Sequence, residues 1–436
     1  MFKYFGILLF IIVSPSINAT NLLEIYNQAL RFNPTYLTSA ANQAVAHDQI
    51  ALVRAGLLPT LTATGSFQYF NHHGDNSQNF NNQNQNFGFG LTLNQTLIDF
   101  SKLRVLDSTK STAIAAQLKT LAAQQDLITQ VANAYFDVAL AQITLKLDIQ
   151  KSDDQKKLYQ QAVKQYLAGQ TTRTSKTDAE AAYATTAAII TQDQTNLTQK
   201  LSVLQQMSGN SAKKVAEAKA ALPILRLDSL DKWLDKARQQ NLEIKANQYF
   251  LQAARENISA KRAGHLPTLG VNVAFNSNKT MYQSATINNM NNVVSKDISA
   301  GATLSFPIFS GGSVVAQTRE AEDSYIVTYQ EGRGVLEKIL NQTRQAYTTI
   351  NNSVRLLKSL QTSIILQRQA LADTIVSYHA GIQTMQDVLT AQDKLYAEQQ
   401  KYYLQTYAYL NAILVLKQAA GVLQDHDISL INAWLN

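Results

Sequence analysis

The chain has 436 residues, 45% of them hydrophobic and only 16% charged, with a formal net charge of +7. Six prolines and seventeen glycines leave room for long uninterrupted elements, and the lack of cysteine excludes disulfides and thiolate metal sites. Lysine and arginine are scattered rather than gathered, which argues against a nucleic-acid binder.

Residues 1–19 read as a secretory leader, with Lys3 at the positive start, an apolar run over 5–13, and a cleavage site at Ile17 and Ala19. The mature chain begins near Thr20. Its charge falls from +7 to +6, since Lys3 is the only charged residue of the leader. The apolar run is too short to span a bilayer as a helix, and without cysteine no lipid anchor can follow export.

The rest is one unit written twice. Ala55, Gly56, Leu58, Pro59, Thr60 and Leu61 return as Ala263, Gly264, Leu266, Pro267, Thr268 and Leu269. Ala134 and Tyr135 return as Ala346 and Tyr347, and Tyr166, Ala168 and Gly169 as Tyr378, Ala380 and Gly381. Such self-similarity marks a duplicated structural unit. The first copy covers 20–208 and the second 229–420, with a linker at 209–228 and a closing segment at 421–436.

Each copy opens with a helix, 21–56 and 229–264. Two strands follow, about 60–70 and 87–97 in the first copy and about 268–276 and 298–307 in the second. Leu61, Ala63, Phe67 and Tyr69 share one face of the first, opposite Thr60, Thr62, Thr64 and Gln68. The other three alternate likewise: Phe87, Phe89, Leu91 and Leu93, then Leu269, Val271, Val273 and Phe275, then Ile298, Ala300, Ala302 and Leu304 each form an apolar face. Amphipathic strands of this kind also build water-soluble sheets. Here, however, the polar faces are neutral, and the intervening stretches 71–86 and 277–297 are long and rich in Asn and Gln. Strands of roughly 10 residues suit a tilted membrane crossing. Four cannot close a barrel, and open edges are forbidden in lipid, so the strands must be shared among several chains.

The proline-free stretches 101–168 and 313–380 read as long helices of roughly 100 Å, the second carrying Gly332 and Gly334. Leu127, Val131, Ala134, Val138, Ala141 and Leu145 form a heptad-like seam in the first. Helices at 175–208 and 387–420 complete the copies, and each pair of shorter helices, end to end, matches a long one at about 105 Å. Gly169 and Gly381 follow the long helices, where a left-handed residue closes a turn.

Little else points to chemistry. His72, His73 and Asp75 form a tight cluster but lack the third spaced ligand a metal site needs. There is no phosphate loop, zinc-protease helix or nucleophile elbow, and no paired titratable constellation for catalysis, so neither enzyme nor cofactor is expected. Aromatics at the strand ends suit a membrane girdle and a soluble core equally.

The strand-to-helix passages carry a family resemblance. Leu97, Ile98, Asp99, Phe100, Ser101, Lys102, Leu103 and Arg104 form the first, and Phe306, Pro307, Ile308, Phe309, Ser310, Gly311 and Gly312 the second. With the Leu-Pro-Thr-Leu strand entries, they resemble the TolC family of outer-membrane channel proteins over nearly the whole mature chain. The resemblance implies an α+β membrane protein: a homotrimer in which each chain gives four strands to one twelve-stranded outer-membrane barrel, continued by a helical periplasmic barrel. The linker and the closing segment would lie at the equator of that helical part. A periplasmic adaptor and an inner-membrane transporter of the RND or ABC type would dock at the far end, and drugs, other small molecules or proteins would leave in one step.

The family's gate is only partly carried by this chain. The tip turns fall at 169–175 and 381–387. The resemblance implies a latch of tyrosine to aspartate and arginine to threonine, with two aspartates ringing the entrance. Tyr378, Thr174 and Asp387 are present, while Ser175, Gln383 and Thr390 replace the latch aspartate, the arginine and the second ring aspartate. Neutral hydrogen bonds are weaker than charge-assisted ones, about 1 kcal/mol against 1.5 to 3, so a looser latch is expected. Asp387 could ring a cation-selective mouth or simply cap its helix. A rival to the duct is a surface adhesin or scaffold that projects its helices outward from a shared barrel.

Overall fold

The structure, a computed structural model, describes residues 20–72, 82–212, 214–219, 222–284 and 292–435, so the expected leader, His73 and Asp75 lie outside it. Two compact units form, and they cut across the sequence repeat. One combines Ser39–Thr120 with Leu242–Leu336; the other takes the chain up to Thr38, Leu121–Asn241 and everything from Glu337 onward.

The first unit holds a single antiparallel sheet. Strands β1 (Thr60–His72), β2 (Asn82–Ile98), β3 (Thr268–Ser284) and β4 (Asn292–Ser305) pair in the order β1-β2-β3-β4. The register aligns the alternation of all four strands. Leu61, Leu93, Val273 and Ala300 form one cross-strand row, and Thr62, Thr92, Ala274 and Ser299 the next on the opposite face. Phe67 lies opposite Phe87, with ring centroids 4.9 Å apart.

Three strands differ from their expected bounds. β2 takes in the Asn- and Gln-rich 82–86, β3 runs on to Ser284, and β4 begins at Asn292. A ladder is made of backbone bonds, so neutral amide side chains can continue it where apolar alternation has already stopped. β4 ends at Ser305 because Pro307 has no N–H to continue the ladder. β2 carries a bulge near its end: Thr96 faces Gly270 and Ile98 faces Leu269, leaving Leu97 unmatched.

The two passages from strand to helix use different devices. Asp99 Oδ1 accepts the Lys102 N–H at 3.0 Å and so starts helix α3 (Phe100–Leu167). The second passage instead turns through Gly311 and Gly312, both left-handed with φ of 61° and 79°, before α7 (Ser313–His379). Helices α2 (Pro34–Ala55) and α6 (Leu242–Arg262), with the first parts of α3 and α7, complete the unit. Buried Ala253, Ala260 and Ala321 let these helices approach closely. Arg104 pairs with Glu256 at 3.2 Å and Arg262 with Glu322 at 2.6 Å, exposed pairs that add little stability.

The second unit contains the main core. Leu127, Val131, Ala134 and Val138 of the α3 seam are buried against Tyr409, Leu410, Ile413 and Leu414 of α8 (Met385–Ala419) and Leu204 of α4 (Arg173–Ser208), while Ala141 is buried outside this cluster and Leu145, the last of the expected seam, is only half-buried. Helix α1 (Leu22–Phe32), α5 (Leu230–Gln240) and the terminal α9 (Asp425–Asn432) pack around them. α9 is tied down by Tyr26 Oη donating to Asp425 Oδ1 at 2.8 Å and by the Lys417–Asp427 ion pair at 2.5 Å.

The linker is an extended strap across this unit. With no helix or strand among its described residues, its backbone must find other partners, and the long helices supply them. Tyr135 Oη accepts the Ala216 N–H at 2.7 Å and donates to the Thr20 carbonyl at 3.0 Å. Gln142 accepts the Val215 N–H at 2.9 Å and donates to the Val215 carbonyl at 3.1 Å. Tyr407 Oη accepts from Ala218 at 3.0 Å, and Tyr409 Oη accepts from Leu225 at 2.9 Å. Short bridges from Thr20 to Val215 and from Ala218 to Leu435 seat both Thr20 and Leu435 on the same strap.

Two expected helices are broken. The stretch 21–56 divides at Asn33, in extended backbone with ψ of 118°, and 229–264 at Asn241, whose ψ of 130° is likewise outside the helical region. In the first, Pro34 forces the preceding residue out of the helical region, and Asn33 Oδ1 recaps α2 through the Tyr36 N–H at 3.1 Å. In the second no proline is present; Asn241 Nδ2 instead donates to the Ala419 carbonyl at the end of α8, at 3.0 Å. Gly332 and Gly334 do not interrupt α7, because a helical glycine costs only about 1 kcal/mol.

Candidate functional site

The tip turns are built by one motif used twice. After α3, Gly169 donates to the Tyr166 carbonyl at 3.0 Å and Gln170 to Gln165 at 2.8 Å; after α7, Gly381 donates to Tyr378 at 3.0 Å and Ile382 to Ser377 at 2.9 Å. This is a Schellman closure, and it needs a left-handed residue. Gly169 and Gly381 supply it at φ of 69° and 74°. The returning helices start at threonines: Thr172 accepts the Ser175 N–H at 3.1 Å, and Thr384 accepts the Asp387 N–H at 3.2 Å.

Asp387 is therefore not the residue that opens its helix, as a simple cap would be. It sits three positions in and returns the bond, its Oδ2 accepting the Thr384 N–H at 2.8 Å and the Thr384 hydroxyl at 2.7 Å. These bonds hold its carboxyl below the usual carboxylate range, so it is ionised at neutral pH. The Thr-x-x-Asp spacing of a capping box was readable in the sequence.

The remaining gate residues are distributed differently from the family latch. Tyr378 Oη donates to Gln165 Oε1 at 3.0 Å, and its ring packs beside Ala162, Ala179, Met385 and Leu389. Ser175 faces its own cap, Thr172, at 3.2 Å. Thr390 donates to the Gln386 carbonyl one turn back at 2.8 Å, and Gln383 donates from its backbone to Ser377 at 3.3 Å. Thr174 is exposed in the first turn of α4. Gln165 is thus the hydrogen-bond acceptor of Tyr378, a contact that no charge or spacing in the sequence announces.

Above the tip, the α3 seam turns polar at Asp148, Ser152 and Gln155, all buried. Gln400 Nε2 donates to Asp148 Oδ2 at 3.0 Å. Burial, reinforced by the neighbouring Asp148 carboxylate, pushes Asp193 of α4 up to about 6. This polar interval separates the main core from the small apolar cluster at the tip.

The polar face of the sheet is the other candidate surface. It presents Thr62, Thr64, Ser66, Asn86, Gly88, Gly90, Asn94, Asn272, Asn276 and Ser299, with Asp297 as its single carboxylate. A β-carbon on Gly88 would come within 2.5 Å of Ser66 Oγ, and one on Gly90 within 2.8 Å of Thr64 Oγ1, so glycine makes room for the polar side chains. Among the described residues no group of His, Cys, Asp or Glu could hold a metal, and no helix is long and apolar enough to cross a membrane. His72 ends β1, while its two expected partners lie outside the described residues.

A four-stranded sheet with one apolar and one polar face, open on both edges and continued by paired long helices, is one protomer's share of a channel wall. The chain belongs to the outer membrane efflux protein family, whose model matches residues 25–210 and 233–422. It is 28% identical to the outer membrane protein TolC of Vibrio cholerae over 425 residues, covering 97% of this chain and 95% of that protein. It is 26% identical to the proteases secretion protein PrtF of Dickeya chrysanthemi, covering 96% and 92%. Its fold matches the CmeC outer membrane channel of Campylobacter jejuni with a TM-score of 0.81 at 16% identity, covering 96% of this chain and 91% of that one. The chain is an outer-membrane exit duct protein whose four strands contribute to a shared barrel.

Proposed function

We propose that three copies close one twelve-stranded barrel in the outer membrane, with the helices directed into the periplasm. There the tips meet an adaptor protein and an inner-membrane transporter of the RND or ABC type, which supplies the energy for drugs, other small molecules or proteins to leave. The supporting observation is the pair of open edges on β1 and β4. Unpaired backbone groups in lipid cost several kcal/mol each, and three sheets joined edge to edge remove them all. The leader is removed near Ala19, and the exported chain carries no lipid.

The chain has no cysteine, which makes a single introduced one a clean reporter. Gly381→Cys at the second tip turn is expected to resist an impermeant thiol reagent in intact cells and to react once the outer membrane is permeabilised. Reaction in intact cells would favour the outward-projecting adhesin and end the duct reading.

In the trimer, Asp387 places three ionised carboxylates at the tip. Asp387→Asn removes them while keeping a side chain able to accept from Thr384. Its expected effect is a lower preference for cations in single-channel recordings, and unchanged selectivity would take Asp387 out of the pore mouth.

A further inference from the structure

The four strands carry three charged residues apart from His72: Lys279, Lys296 and Asp297. Asp297 lies on the polar face, whereas both lysines lie on the apolar one. Lys279 is opposite Phe87 on β2 and Val294 on β4, and Lys296 is opposite Ser277 on β3. The lysines are thus diagonal neighbours across one strand pair, roughly 7–8 Å apart and closer still between β-carbons. Both are exposed, and neither forms an ion pair with a described residue. Two flexible ammonium groups at that spacing can reach the same anion.

Their height along the barrel says which anion. From the helix end of each strand, Lys296 lies nine residues above Ser305 and Lys279 eleven above Thr268. At about 3.3 Å per residue and a tilt near 45°, they stand about 21 and 26 Å up the wall. The apolar band of a membrane barrel is about 25 Å tall. Below them the face is apolar, through Phe275 and Ile298 to Leu269 and Leu304, and the Phe67–Phe87 pair lies at their level as a girdle would. Edge protection, the usual reason for lysine on a strand, does not account for Lys279, because β3 is paired on both sides.

We propose that Lys279 and Lys296 together bind a phosphate of the phosphorylated glycolipid that forms the outer leaflet of the outer membrane, one site on each protomer. This rests on the orientation given above, with the strand loops outside. The ammonium groups form charge-assisted bonds to the phosphate oxygens, while Phe275 and Ile298, one step nearer the helix end on the same face, flank the acyl chains beneath.

Native mass spectrometry of the full-length detergent-solubilised protein tests it, with diphosphorylated lipid A, fully dephosphorylated lipid A and phosphatidylglycerol as separate probes. Wild type should retain diphosphorylated lipid A, and K279Q/K296Q should lower its affinity on the order of tenfold, with K279R/K296R restoring it. Equal binding of dephosphorylated lipid A, or unchanged binding by K279Q/K296Q, overturns the site. So does a parallel and equal loss of phosphatidylglycerol, which would mean general attraction to anionic surfaces. Conductance of the same preparations reports on the duct separately: a conducting wild type that ignores the phosphates sinks only the lipid site, and a non-conducting one sinks only the duct.

Discussion

Replacing Gly421 by alanine is expected to cost about 2–5 kcal/mol of stability and to lower sharply the temperature at which the folded form is lost. Gly421 closes α8 in the same manner as the tip glycines, donating to the Gln418 carbonyl at 2.8 Å while Val422 donates to Lys417 at 2.9 Å. Its φ is 71°, a conformation that costs an L-residue roughly 1–2 kcal/mol. Strain alone is the smaller part. An added β-carbon would overlap the Gln240 carbonyl and come within 2.6 Å of the Asn241 nitrogen, and these are backbone atoms with no rotamer to yield. Overpacking of that kind adds about 1–3 kcal/mol.

Gly381 supplies the control, because it has nearly the same φ, 74°, and nothing within 4 Å of an added β-carbon. Gly381→Ala should therefore lose only the conformational part. The comparison belongs in thermal midpoints measured at one scan rate, which holds also where unfolding is irreversible. Equal shifts for the two variants would show that the contact with the α5 end contributes nothing.

The second large effect is expected at Tyr135, whose side chain is fully buried. Tyr135→Phe keeps the ring but removes the acceptor of the Ala216 N–H and the donor to Thr20. A buried backbone donor left without a partner costs about 1–3 kcal/mol. The damage should concentrate in the strap, appearing as faster amide exchange at Ala216 and earlier proteolysis of 209–228. A variant with wild-type exchange there would deny Tyr135 the role of clasp.

The same buried phenol predicts an alkaline limit. Burial pushes Tyr135 up to about 12 from the ordinary 10. An unfolded chain would ionise this phenol near pH 10, while the folded one resists until about pH 12. Its contribution is therefore whole below pH 10 and is lost as pH rises through 12. Tyr407 and Tyr409, also raised by burial, act in the same direction. Tyr135→Phe should consequently flatten only part of the stability loss between pH 10 and 12, measured by thermal midpoints across that range.

Features set by near neighbours along the chain could be read directly from the residues. The alternation of Leu61, Ala63, Phe67 and Tyr69 with threonines made strands with two unlike faces, and four such strands are too few to close. Proline-free stretches with a seam buried from Leu127 to Ala141 made long packing helices, and Gly169 and Gly381 marked their ends. These follow from side-chain period and backbone propensity, which are local. Tertiary structure alone decided the partners that lie far apart in the chain. Gln165 as acceptor for Tyr378, Tyr135 beneath Ala216, and the break at Asn241 held by Ala419 join residues 81 to 213 positions apart. Tyr347 repeats Tyr135 in sequence but is only half-buried, whereas Tyr135 is fully buried and bonded to the strap at Ala216. A buried polar group takes whichever partner the packed chain brings within 3 Å or so, and that is a property of the fold as a whole, not of any window of residues.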